Sequence, residues 1–120
     1  MGASGWIGVD LDGTLARYDG WTGQYSIGAP VPRMVERVRE WLQQGVEVRI
    51  FTARVSTGLR NLDGSEFDLE GIRKAIEDWC ERHVGQRLPV TCQKDYAMLE
   101  LWDDRAVQVI PNTGERVVPE

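Results

Sequence analysis

The stretch "WIGVDLDGTL", Trp6 to Leu15, ends an apolar run on two aspartates that flank a single leucine. Trp6 to Val9 reads as a buried strand, and Asp10 and Asp12 stand where that strand stops. Carboxylates held close together repel, so the arrangement is costly unless a cation, a proton or a hydrogen-bond network compensates. The pattern predicts a sheet whose strand ends carry charged chemistry.

Working outward from it, apolar runs alternate with helical patterns, which predicts a parallel sheet covered by helices on both faces. Strands are expected at residues 6–9, 46–51, 89–92, 98–102 and 106–110. Between the first two, "VPRMVERVREWLQQG" places Met34, Val35, Val38, Trp41 and Leu42 at helical spacing and ends on Gly45. A second amphipathic segment, "FDLEGIRKAIEDWCERHVG", repeats the pattern through Leu69, Ile72, Ile76, Trp79 and Cys80, with Asp68 as N-cap and Gly85 as breaker. Residues 15–30 and 53–67 are rich in Gly and polar residues and follow strand ends, the edge at which open α/β sheets bind ligands. "VQVIPNTGERVV" reads as a hairpin.

The 120 residues suit one domain, with no internal repeat or linker. Nineteen acidic against fourteen basic residues give a formal charge of -5, which argues against a nucleic-acid partner and against an anionic membrane surface. No run approaches the length of a membrane span, and "MGASGW" carries neither a signal-peptide pattern nor the Ser or Thr that myristoylation requires at position six. Two scattered cysteines, Cys80 and Cys92, fit neither a disulfide framework nor a zinc site, so a reducing cytoplasm is expected.

Four features fall in order at or near successive strand ends: "DLDGT" (Asp10 to Thr14), "FTAR" (Phe51 to Arg54), Lys94, and "WDDRA" (Trp102 to Ala106). This ordered set resembles the haloacid dehalogenase-like superfamily of phosphohydrolases, and it spans residues 6–105. The resemblance implies a single Rossmann-like, three-layer domain with a mostly parallel five-stranded sheet, order 5-4-1-2-3, flanked by helices and ending in an edge hairpin. It also implies an Mg²⁺-dependent phosphatase that works through an aspartyl-phosphate.

The residue types suit that chemistry. Phosphoryl transfer spreads negative charge over oxygens, so the site needs cations and donors around an in-line nucleophile. Asp10 is the candidate nucleophile, and the resemblance gives Asp12 the general acid and base role, for which it should hold its proton more tightly beside a second carboxylate. As the resemblance implies, Thr52 and Lys94 would bind the phosphoryl oxygens, with Gly13, Ala53 and Arg54 as further substrate contacts, while Arg105, directly after the acidic pair, would either reach a substrate phosphate or carboxylate or pair with an acid. The metal candidates are Asp10, Asp103 and Asp104; the resemblance adds the backbone carbonyl of Asp12 and, by the pattern of nucleotidase-like members, implies Asp104 as the direct ligand with Asp103 acting behind it or through water. Trp102 stands where nucleotidase-like members of the family often carry an aliphatic residue.

An EF-hand starting at Asp10 would need Gly at Leu15 and Glu at Trp21, so the run does not read as a calcium loop of that type. A receiver-type signalling domain places its acidic pair before the phosphorylated aspartate, whereas here the pair comes last. His83, near the end of a helix, reads as structural. Among the five tryptophans, only Trp21 is a candidate substrate contact. The loops "RYDGWTGQYS" and "RVSTGLRNLDGSEF" are too short for a cap domain. In the family, an open site takes bulky substrates or borrows a neighbouring subunit as lid, so homo-oligomerisation is an expectation. The substrate is a phosphorylated molecule that the sequence does not name, with nucleotidase specificity or non-catalytic phosphate and Mg²⁺ binding as alternatives.

Overall fold

The computed structural model describes residues 4–118. Its sheet has four parallel strands in the order β3-β2-β1-β4. They are β1 (Trp6–Asp10), β2 (Glu47–Phe51), β3 (Val90–Thr91) and β4 (Met98–Trp102). Helix α1 (Pro32–Gln43) connects β1 to β2, and α2 (Leu69–His83) connects β2 to β3. The strand β1 is central, pairing in parallel with β2 on one side and with β4 on the other.

Both helices form for the reasons their sequences supply. Pro32 occupies the first turn of α1, where a missing N–H costs nothing, and Met34, Val35 and Val38 form its buried stripe. The Asp68 carboxylate accepts from the Gly71 amide and caps α2, whose buried stripe is Ile72, Ile76, Trp79 and Cys80. Gly45 and Gly85, at φ 80° and 108°, let the chain leave the two helices in a conformation that disfavours L side chains. Burial pushes the Cys80 thiol up to about 12, in keeping with a thiol that acts as a small apolar filler.

One core cluster joins Ile7, Val9, Val48, Ile50 and Val90 of the sheet to Met34, Val35 and Val38 of α1 and to Ile72, Ile76 and Cys80 of α2. Both helices therefore cover the same face of the sheet. This corrects the three-layer expectation, and the reason is topological. The crossovers β1-α1-β2 and β2-α2-β3 advance in one direction, and right-handed connections then put both helices on one side. The opposite face presents Trp6, Gly8, Arg49 and Phe51 and carries no helix among the described residues.

Across that second face the chain returns from β3 to β4 in only six residues, 92–97, too few for a helix. Asp95 anchors the return at the amino end of the strands. Its carboxylate accepts from Trp6 Nε1 at 2.9 Å, from the Ala97 amide at 2.9 Å and from Arg49 at 3.4 Å. The Arg49 guanidinium lies 4.5 Å from the centre of the Trp6 ring, and the indole is fully buried although no described helix covers it.

The expected fifth strand at 106–110 is absent among the described residues, which leaves four strands rather than five. After β4 the chain turns at once, with the Arg105 amide bonded to Asp103 Oδ1 at 3.0 Å. Residues 108–117 then pair with themselves, through an antiparallel bridge between Val109 and Arg116. The expected hairpin forms, but it leaves Val107, Val109 and Ile110 exposed. No described helix is long and apolar enough to cross a membrane.

If the Trp6–Asp95 bond pins the return segment, Trp6→Phe should lower stability by about 1 kcal/mol in urea unfolding. The loss should largely disappear when the same change is made in an Asp95→Ala background. Equal losses in both backgrounds would show that the bond contributes nothing.

Candidate active site

Asp10 ends β1, and Asp103 and Asp104 follow immediately after β4, the neighbouring strand. Because Val9 pairs with Trp102, the two strands stop at one level. Carboxylate oxygens of Asp10, Asp103 and Asp104 come within 4.8 Å of one another. Thr14 Oγ1 donates to Asp10 Oδ2 at 3.4 Å. The carboxyl of Asp10 is pushed up to about 7, first by burial and then by the Asp103 charge, a hydrogen bond with Asp104, the Asp104 charge and the Asp12 charge. Here the carboxyl with the displaced titration is Asp10's.

Asp12 is held apart from this cluster. Arg54 donates from Nε to Asp12 Oδ2 and from Nη2 to Oδ1, both at 2.8 Å, in a side-by-side fork. The same guanidinium reaches the adjacent carbonyls of Gly23, at 3.4 Å, and of Gln24, at 3.1 Å. It also lies 4.8 Å from the Trp21 ring centre. Arg54 is thus buried and spent on Asp12 and on the loop above it.

Thr52 follows β2 and is buried, and its Oγ1 accepts from the Arg54 amide at 3.2 Å, which leaves its own hydroxyl hydrogen uncommitted. Asp10, Asp12, Thr52, Ala53, Arg54, Asp103 and Asp104 all line one cleft of about 550 Å³. Its far wall is apolar: Tyr18, Trp21, Leu59, Leu62 and Phe67. The Trp21 and Phe67 rings stack with centroids 5.6 Å apart and planes 6° apart. Tyr25 and Gln24 bond to Asp68, tying this wall to the cap of α2.

Two expected site residues lie elsewhere. Gly13 is not on the cleft wall; it abuts Asp104 from the neighbouring crevice, at φ 89°, where any Cβ would collide with the Asp104 carboxylate. Lys94 is exposed and does not line the cleft. It precedes Asp95, which is anchored at Trp6, the opposite end of β1 from Asp10 and about 13 Å away along the strand at ~3.3 Å per residue. The expectation placed Lys94 at a strand end, but β3 stops at Thr91 and the chain is already descending toward β4. What the sequence reading missed is the Arg54–Asp12 pair, which joins residues 42 positions apart, and Arg60 on the cleft wall. Arg105, directly after the acidic pair, lines the cleft.

No protein-family model matches the chain, and no curated protein matches it. Among solved structures, it resembles a conserved protein coded by a locus from Bacteroides thetaiotaomicron. The identity is 22%, the TM-score 0.54, and the match covers 92% of this chain and 84% of that one. That likeness concerns the fold.

Asp10 makes the stability of the metal-free protein depend on pH. Its carboxyl is raised from 3.8 to about 7 on folding, so the native state binds the proton more tightly than the unfolded chain. The resulting stability is fully present below the unfolded value and is lost as pH rises through about 7. In EDTA, the melting temperature should fall from pH 5 to pH 8, and Asp10→Asn should flatten that fall. An unchanged slope in the variant would remove Asp10 as its source.

Proposed function

We propose that the protein is an Mg²⁺-dependent phosphomonoesterase of the haloacid dehalogenase-like type, with Asp10 as nucleophile. The observation that carries this reading is the meeting of Asp10, Asp103 and Asp104 at the carboxyl edge of adjacent parallel strands, inside a cleft that also holds Thr52. The order of these residues along the chain is the order the family resemblance requires.

The donor set suits Mg²⁺: three carboxylates offer hard oxygen ligands in one small volume, and both the burial and the neighbouring acidic charges that raise the Asp10 carboxyl disfavour its charged form, which a cation would favour. Held by Asp10, Asp103 and Asp104, the ion would supply positive charge against the phosphate oxygens.

An Asp10 oxygen attacks phosphorus, and the bond from phosphorus to the ester oxygen breaks. The leaving oxygen takes a proton from Asp12, giving the free alcohol and an aspartyl-phosphate on Asp10. Water then attacks that phosphorus while Asp12 takes a proton from it, releasing inorganic phosphate and restoring the Asp10 carboxylate. For this, Asp12 must give up one of its two bonds to Arg54, because both of its oxygens accept from that guanidinium. The Thr52 hydroxyl donates to a phosphoryl oxygen.

A nucleotide is the second reading of the substrate, favoured by the stacked Trp21 and Phe67 rings, which give the wall a planar surface. Binding of phosphate and Mg²⁺ without turnover is the non-catalytic alternative, favoured by the position of Lys94 outside the cleft.

Purified protein should release phosphate from p-nitrophenyl phosphate with Mg²⁺ and not in EDTA. Asp10→Asn should cut the rate by at least about a thousandfold, and Asp12→Asn by about 10²- to 10⁴-fold. Full activity in Asp10→Asn rejects the nucleophile, and phosphate binding without any turnover selects the non-catalytic alternative.

A further inference from the structure

The cleft gathers more negative charge than its cations offset. With a divalent ion among Asp10, Asp103 and Asp104, those groups sum to one negative charge, and a phosphomonoester dianion has to enter beside them. Attack by a carboxylate on that dianion needs a positive group at the phosphoryl oxygens.

The cations near the cleft differ in what already holds them. Arg54 is committed to Asp12 and to two loop carbonyls. Arg60 bonds to the Gly64 carbonyl at 3.0 Å and faces Glu66 at 3.5 Å. Behind the acidic pair, Arg33 is paired with Glu36 at 2.6 Å, and Arg37 lies over the Trp102 ring. Lys94 is exposed on the return segment and does not line the cleft. Arg105 differs from all of these. It lines the cleft, and its guanidinium has no ion pair or hydrogen bond among the described residues. The turn that places it is fixed, since its amide is bonded to Asp103 Oδ1 at 3.0 Å.

We infer that Arg105 is the residue that grips the phosphoryl group, in the role the sequence pattern assigns to Lys94. The inference rests on the phosphatase reading above. A guanidinium fork matches two phosphate oxygens at once, so it binds with a directionality that an ammonium lacks. Its place one residue past the metal candidates ties the position of the phosphate grip to that of the acids.

The test uses the full chain as wild type, Arg105→Met, Arg105→Lys and Lys94→Met. Two measurements are made with Mg²⁺ present: binding of inorganic phosphate by calorimetry, and kcat/KM on p-nitrophenyl phosphate. Arg105→Met should weaken phosphate binding and lower kcat/KM by roughly 10- to 100-fold, with Arg105→Lys in between. Lys94→Met should leave both within about twofold of wild type. Arg105 is exposed, so melting temperatures of its variants should match wild type. The inference is overturned if Arg105→Met binds phosphate as wild type does, if Lys94→Met shows the loss instead, or if wild type binds no phosphate. Wild-type turnover that Arg105→Met leaves intact sinks the Arg105 role alone. Absence of wild-type turnover sinks the catalytic reading, while the phosphate-binding arm still decides Arg105.

Discussion

Parallel pairing of β1 with a strand on each side is the constraint on which the rest of the molecule depends. The register aligns Asp10 with Phe51 and Val9 with Trp102, so three strands release the chain at one level. Asp10, Thr52 and Asp103 are each at or next to such a release point. The burial that holds β1 in place also raises the cost of the Asp10 charge, which links the core to the chemistry. A surface cluster of the same three acids would repel far less, because water would screen it.

Much of this arrangement is legible in the sequence because it is local. Apolar periodicity marks four strands and two helices, Asp68 marks a helix start, and the acids and Thr52 stand at strand ends in plain order. What the letters hide is set by lengths and by distant partners. The alternation in residues 106–110 looks like a strand, yet it finds its partner in residues 115–117 rather than in the sheet. Lys94 looks like a strand-end residue until the six residues between β3 and β4 are required to span the sheet. The one-sided helix layer was implicit in the strand order, since two right-handed crossovers that advance together share a face.

The Arg54–Asp12 fork belongs to neither local pattern, and it joins the two polar loops into a single wall. Through Arg54, the loop bearing Gly23 and Gln24 is fastened to the first motif, and through Trp21 and Phe67 the two loops are fastened to each other. Short loops thereby gain the definition that a larger inserted domain would otherwise give.

The face of the sheet that no described helix covers has a consequence of its own. On the helical side, substitutions answer to volume, because every side chain there meets another. On the other side they answer to wetting: Arg49 lies over Trp6 like a lid with a charged rim, keeping an indole dry while offering water a polar surface. Two faces of one sheet are thus shaped by different demands, and drift in sequence will follow a different rule on each.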